Sequence, residues 1–314
     1  MPIAVVAIGG NSLVKPGERS TLEVQRANLL TTCEGIAAVL AAGYRVVVTH
    51  GNGPQVGDAL LRSELGAPQV PPLTLDACVA ETQATIGYLL QQTLQETFER
   101  RGLRRPVVTM VTQVLVSRRD RAWRNPTKPV GPFYSAEEAE RRRAALGWTL
   151  VEDGPRGFRR VVPSPEPKSI VELAAIQAAL ASGVLVIACG GGGIPVAWQD
   201  GRLIGVEGVI DKDLASGLLA SHIHAHKLII VTSVEQAAIH FGQPDQQWLG
   251  TITAAQAREH LAAGEFPPGS MGPKIEAGID FVESGGEECI ITSTGHVAAA
   301  LQGCAGTHIV RSRP

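Results

Sequence analysis

The sequence predicts an α/β protein built on a mostly parallel sheet, and three observations carry that prediction. A short apolar run, a glycine or polar turn and an amphipathic segment recur along the chain. The apolar runs are continuous, as expected of strands covered on both faces. Several runs stop at glycine turns and hand over to helix-like stretches, the pattern of βα units.

In chain order, "IAVVAIGGN" is the first strand and its turn. "TLEVQRANLLTTCEGIAAVLAAG" follows with helical apolar spacing and a stop at Gly43. "YRVVVTHGNGPQVG" is the second strand with its turn, and "TLDACVAETQATIGYLLQQTLQETFERRG" a second long helix. "RPVVTMVTQVLV", the helix "SIVELAAIQAALASG", "VLVIACGGGG", "HKLIIVTS", "KIEAGIDFVESGG" and "ECIITS" continue the alternation. One region breaks it. Residues 118–168 hold seven of the chain's 20 prolines, and basic residues there outnumber acidic ones by 12 to seven. Such a stretch is no βα unit and reads as an inserted subdomain or lid. Its basic excess suits closure over an anion, although a helix such as "EEAERRRAALG" also simply presents a charged face to solvent.

Composition narrows the function. With 314 residues, 44% apolar and 18% charged, the chain is long enough for a large core and is of ordinary globular composition. A net charge of −2 gives no reason to expect nucleic acid or an anionic membrane as partner, and no apolar run approaches the ~20 residues that cross a bilayer. The start reads as a strand and not as a signal peptide. Five scattered cysteines argue against a disulfide framework or a zinc site and favour a reducing, cytoplasmic setting. The alternate histidines of "SHIHAHK" are expected at a helix end and loop, without a metal.

Ligands gather at the carboxyl ends of strands in open parallel sheets. Three glycine turns fall there: Gly9, Gly10 and Asn11; Gly51, Asn52 and Gly53; and the four glycines Gly190 to Gly193. Such turns bring backbone N–H groups close to an anion. None is a P-loop or a dinucleotide fingerprint, because Ile194-Pro195 follows the four glycines. Two lysines sharpen the picture. A helix starting at an Asp211 cap puts Lys212 in its first turn, and a helix starting at Pro273 does the same for Lys274. A cation there opposes the helix dipole by about 0.3–1 kcal/mol, and a bound polyphosphate reverses the sign of that interaction. Glycine turns, converging lysines and one aspartate are the parts that phosphoryl transfer needs.

The segments "AIGGN", "THGNGPQVG", "NPTKPVGPF", "VVPSPEP", "CGGGGIPV", "GVIDKDLAS" and "PGSMGPKIEA" together resemble the carbamate kinases of the amino-acid kinase family, from Ile3 to about Thr294 and in the same order. The resemblance implies a three-layer α/β/α sandwich with a large mainly parallel sheet and a protruding subdomain. It implies a lobe over residues 1–208 for carbamate or carbamoyl phosphate, with the lid at about 118–168 inserted, and a nucleotide lobe over 209–314. It also implies a homodimer and the reversible Mg²⁺-dependent exchange of a phosphoryl group between ATP and carbamate, used to make ATP in arginine catabolism.

Carried over by residue, Lys212 and Lys274 correspond to the lysines on the transferring group, Asp213 to the aspartate that orients them, and Lys128 to the lysine of the subdomain. Gly9, Gly10, Asn11, Gly51, Asn52, Gly53, Gly191, Gly192 and Gly193 correspond to the acceptor region, with the glycines clearing side chains from a pocket for a very small anion. Thr232, Ser233, Val234, Ala237, Phe241, Met271 and Gly272 correspond to the nucleotide side. The resemblance also implies that Mg²⁺ is held mainly by phosphates. The family usually has alanine at Ser12, glycine at Ser233, aspartate at Glu235 and tyrosine at Phe241. Rival readings are another small-acid acyl-phosphate kinase of this fold and a nucleotide-binding regulatory relative.

Overall fold

The computed structural model describes residues 1–15 and 17–312. Eight strands form the main sheet: β1 (Ile3–Ile8), β2 (Arg45–His50), β3 (Val107–Thr109), β4 (Leu185–Ile187), β5 (Lys227–Thr232), β6 (Thr251–Thr253), β7 (Glu288–Ser293) and β8 (Thr307–Val310). Their order is β6-β8-β7-β5-β1-β2-β4-β3. Every neighbouring pair is parallel except β7 with β8.

β1 lies at the centre because all six of its side chains are apolar and buried. Ala4, Val6 and Ile8 face one core and Ile3, Val5 and Ala7 the other, as the two-residue period of a strand requires. Each fully buried Val or Ile contributes about 1.5–3 kcal/mol, far more than strand propensity alone.

The helices are α1 (Leu22–Ala41), α2 (Gly53–Gly66), α3 (Leu75–Arg100), α4 (Ala136–Leu146), α5 (Leu173–Ala181), α6 (Lys212–His222), α7 (Ala254–Ala262), α8 (Gly272–Glu283) and α9 (Val297–Leu301). Side chains of α1, α3 and α9 fill the core on one face of the sheet, and those of α5, α6, α7 and α8 fill the other. The chain is thus an α/β/α sandwich. The run "RPVVTMVTQVLV" is divided: β3 ends at Thr109, and Gln113–Val116 joins a separate four-stranded sheet with Arg202–Gly205, Ile194–Gln199 and Pro167–Ile170.

Within the proline-rich region, Lys128–Tyr134, Phe158–Val162 and Leu150–Glu152 form a three-stranded antiparallel sheet with α4 beside it. Its core is small, comprising Tyr134, Ala139 and Leu150 with Trp148 and Phe158 against them. Arginines reinforce it. The Arg142 guanidinium lies 4.3 Å from the Tyr134 ring centroid, Arg160 4.4 Å from Trp148 and Arg156 4.1 Å from Phe133. Arg142 also pairs with Glu64 of α2 at 2.7 Å. Much of the basic excess of this region is therefore structural.

At the other end of the sheet, Glu288 accepts from Lys227 and, at 2.8 Å, from His308 Nδ1. The second ring nitrogen of His308 donates to the Ala305 carbonyl at 2.8 Å, so the imidazole is held in its charged form and its pKa is raised. Burial pushes the Glu288 carboxyl up, but the bonds from His308 and Lys227 outweigh it and hold it down at about 2. The stabilisation from Glu288 is present above its unfolded value of 4.5 and is lost as pH falls toward 2. That from His308 is complete below 6.5 and is lost as pH rises through the folded value. Denaturant titrations across pH are expected to show both slopes, and Glu288→Gln should flatten both while costing about 1–3 kcal/mol near neutrality. Unchanged pH profiles in that variant would refute the triad's role.

Candidate active site

A cleft of about 310 Å³ opens at the carboxyl ends of β1, β2 and β5. Its walls bring together Gly9 and Gly10 after β1; Gly51, Asn52 and Gly53 after β2; Thr232 and Ser233 at the end of β5; Gly191; and Lys128, Lys212, Asp213 and Lys274. Asn11 lies in the 3-10 turn Gly10–Ser12, and its side chain lies outside the described residues.

Helix α6 begins as its sequence implies. The Asp211 side chain accepts from the Asp213 N–H at 2.8 Å and caps the helix, which leaves Lys212 as its first residue. Helix α8 begins one residue earlier than Pro273, at Gly272, with Met271 as an uncapped flank. The two helix starts converge on one carboxylate. Lys212 Nζ donates to Asp213 Oδ1 at 2.5 Å and Lys274 Nζ to Asp213 Oδ2 at 3.0 Å. The Asp213 side chain is 5% exposed, so the pairing is screened weakly by water. Lys274 also donates to the Ser270 carbonyl at 3.1 Å.

Burial is the largest influence on both partners and disfavours the charged form of each. It lowers the Lys212 pKa, with the Lys274 charge adding to the effect and Asp213 opposing it. It pushes the Asp213 carboxyl up, but the Lys212 and Lys274 charges and hydrogen bonds overcome it and hold the group below its usual range. The aspartate is therefore the fixed anion of the site. A third ammonium arrives from the subdomain: Lys128 Nζ donates to Asp211 Oδ2 at 2.6 Å, across 83 residues of sequence. Three ammonium groups against two carboxylates leave the cleft net positive, as an anion site requires.

The second residue set behind the cleft is hydroxyl. Ser216 Oγ donates to the Lys212 carbonyl at 2.6 Å, and Thr49 Oγ1 lies 2.6 Å from Ser216 Oγ, so β2 is tied to the first turn of α6.

The four glycines behave differently from the reading as pocket space. Gly191 lines the cleft, whereas Gly190, Gly192 and Gly193 are buried against protein. A Cβ at Gly191, where φ is +66°, would fall 2.2 Å from Asn52 Nδ2. At Gly192 it would meet the Ile210 carbonyl at 2.4 Å, and at Gly193 the Val114 side chain at 2.2 Å. The turn lacks side chains so that β2, α6 and the second sheet can close around it.

Of the residues assigned to the nucleotide side, Thr232 and Ser233 reach the cleft. Val234 follows in the same bend, and Ala237 is buried, its N–H bonded to Thr307 Oγ1 at 2.9 Å. Phe241 is exposed, edge-on to Trp248 at 6.4 Å. Met271 and the buried Gly272 form the start of α8. Glu235 faces His296 at 3.6 Å. The sequence marks Asp211 as a helix cap; its second bond, to Lys128, has no local signature. Among the described residues no cluster of three His, Cys, Asp or Glu side chains is placed to hold a metal, and both cleft carboxylates are engaged by lysines. The lysine-rich donor set fits a metal that arrives already coordinated by an anion's oxygens.

Residues 2–293 match the model of the amino acid kinase family. The chain is 46% identical over 314 residues to carbamate kinase of Thermococcus kodakarensis, covering 99% of this chain and 100% of the relative. It is 47% identical to the carbamate kinase-like protein YahI of Escherichia coli, with 99% of each covered. The structure of carbamate kinase from Giardia lamblia bound to AMP-PNP superposes with a TM-score of 0.92 at 41% identity over 98% of each chain. The chain belongs to the amino acid kinase family and, within it, to the carbamate kinases. It is a phosphotransferase.

The subdomain reaches the cleft through a close backbone contact. A Cβ at Gly57 of α2 would fall 2.8 Å from Gly131 Cα and 2.9 Å from its N. Gly57→Ala is expected to push the Lys128–Tyr134 strand off α2, costing about 1–3 kcal/mol of stability by overpacking. It should also weaken the Lys128–Asp211 pair and lower turnover at least tenfold, as steady-state rates beside a denaturation curve will show.

Proposed function

We propose that the chain catalyses the reversible exchange carbamoyl phosphate + ADP ⇌ carbamate + ATP, with the nucleotide bound as its Mg²⁺ complex. The observation that carries this reading is the pair of lysines held by one buried aspartate at the mouth of the glycine turns. In the ATP-forming direction a β-phosphate oxygen of ADP attacks phosphorus as the bond to the carbamate oxygen breaks. Carbamate leaves with that electron pair, and no proton need move. Catalysis then rests on placement and on charge stabilisation of the three equatorial oxygens.

In this reading Lys212 and Lys274 neutralise the transferring group, and Asp213 keeps both ammoniums aimed and charged. Lys128 meets the carbamate end, and the backbone of Gly9, Gly10, Asn11, Gly51, Asn52, Gly53 and Gly191 donates to substrate oxygens. Residues 1–208 form the small-acid lobe, with a lid over about 118–168, and 209–314 form the nucleotide lobe around Thr232, Ser233 and Met271. Mg²⁺ supplies charge neutralisation of the nucleotide phosphates. We assign the chain to ATP synthesis in arginine catabolism, as a cytoplasmic homodimer. None of the helices is long and apolar enough to cross a membrane, among the described residues.

The test is ATP formation from carbamoyl phosphate and Mg-ADP by the purified protein. Lys274→Ala and Lys212→Ala are each expected to lower kcat by about 10²–10³-fold with the fold intact, the scale of losing one transition-state charge contact. Lys128→Ala should chiefly impair use of carbamoyl phosphate, leaving the KM for ADP nearly unchanged. A wild-type protein that ignores carbamoyl phosphate but turns over another small acid would replace the substrate assignment. Nucleotide binding with no transfer to any small acid would favour a regulatory relative.

A further inference from the structure

His50, the last residue of β2, stands behind the turn Gly51–Gly53 and has no part in the chemistry proposed above. It is 1% exposed. Burial lowers its pKa to about 4, and the charge of Lys212 acts in the same direction, so the imidazole is neutral. Its Nδ1 lies 3.0 Å from the Gly51 carbonyl oxygen. A carbonyl only accepts, so Nδ1 carries the ring proton and donates it. Nε2 then holds a lone pair that has no partner among the described residues. The ring is wedged instead against the first of the four glycines: a Cβ at Gly190 would fall 2.4 Å from Nε2 and 2.6 Å from Cε1.

The bond to Gly51 has a geometric consequence. The C=O of one residue and the N–H of the next point opposite ways across a trans peptide. Holding the Gly51 carbonyl toward His50 directs the Asn52 N–H away from the ring. No acceptor for that N–H occurs among the described residues, and Gly51 and Asn52 both line the cleft. Gly51 lacks a Cβ because one would fall 3.3 Å from Gly10 N and 3.7 Å from Lys212 Cδ. A bare glycine peptide at that spot turns freely unless something clamps it.

We propose that His50 is a positioning residue, whose Nδ1–H fixes the Gly51–Asn52 peptide so that the Asn52 N–H donates to the transferring phosphoryl group. This rests on the phosphoryl-transfer reading and adds to it the group that orients its backbone donor. It also gives Gly190 a function: the missing side chain leaves room for Nε2 and Cε1 of the ring, which thereby presents Nδ1 to Gly51.

The test compares His50→Ala, His50→Asn, His50→Gln and Gly190→Ala with the wild type for kcat, for the KM of ADP and carbamoyl phosphate, and for melting temperature. An asparagine amide nitrogen takes the place of Nδ1, whereas that of glutamine takes the place of Nε2. His50→Ala is expected to lower kcat about 30-fold or more with the ADP KM within twofold. His50→Asn should recover to within about threefold of wild type, and His50→Gln should not. Gly190→Ala, which pushes the ring off its seat, should lower kcat with the histidine still present. A folded His50→Ala with wild-type kcat, or equal rates for the Asn and Gln variants, would overturn the proposal. If the alanine variant does not fold, the Asn–Gln comparison decides alone. A wild type inactive on carbamoyl phosphate and other small acids would remove the reaction itself, whereas normal wild-type turnover with unaffected variants would remove only His50.

Discussion

The site depends on one buried carboxylate holding two ammonium groups. Without Asp213, Lys212 and Lys274 would stand at the starts of α6 and α8, each opposed by about 0.3–1 kcal/mol of helix dipole. They would also repel each other. At an effective dielectric of about 20, unit charges 4 Å apart interact by ~4 kcal/mol. One anion bonded to both cations sets two attractions of similar size against that repulsion, with the carboxylate itself pulled below its normal pKa. The arrangement needs α6 and α8 to pack closely. Gly217 allows it: a Cβ there would lie 3.2 Å from the Ala277 carbonyl. Helix packing and charge placement are thus a single constraint.

The glycines extend the same argument to the backbone. Read from sequence, four bare residues at the end of a strand suggest room for a ligand. In the structure most of that room is filled by protein: His50 against Gly190, Asn52 against Gly191, the Ile210 carbonyl against Gly192 and Val114 against Gly193. Ile210 immediately precedes the Asp211 cap, and His50 immediately precedes Gly51. The glycine turn is therefore the junction at which the β2 turn and the α6 start are brought to the same cleft. The pocket follows from this packing and is lined by only one of the four.

What was legible in the sequence was local. Continuous apolar runs gave the strands, Asp211 signalled a helix start, and lysines on the unfavourable ends of two helices marked the site. The resemblance supplied Asp213 together with the two lysines it orients, and Lys128 as a site residue, but not the partner of Lys128. The pairing of Lys128 with Asp211 spans 83 residues and is set by where the subdomain lands, which depends on the Gly57–Gly131 contact and on Arg142 reaching Glu64. The division of "RPVVTMVTQVLV" between two sheets was hidden for a related reason. Its apolar pattern is compatible with one strand, and the break at Met110–Thr112 is fixed by Gln83, whose side chain accepts from the Thr112 N–H and donates to the Thr112 and Gly190 carbonyls. Propensity and periodicity carry no record of such bonds.

Lysine rather than arginine suits this cleft for a reason that donor geometry makes explicit. An ammonium carries three N–H groups that rotate about one bond, whereas a guanidinium offers a rigid planar fork. Lys274 directs one N–H to Asp213 and one to the Ser270 carbonyl, which leaves one for a ligand. Lys212 gives one to Asp213, and Lys128 one to Asp211, so each retains two. The carboxylates therefore hold the cations in place without exhausting them, and in the proposed reaction Lys212 and Lys274 meet the phosphoryl group and Lys128 the carbamate end while every ion pair stays intact. A fork committed to a bidentate carboxylate has its remaining N–H groups fixed in direction, so it can be re-aimed at substrate only by breaking that bond, with loss of the preorganisation on which charge stabilisation depends.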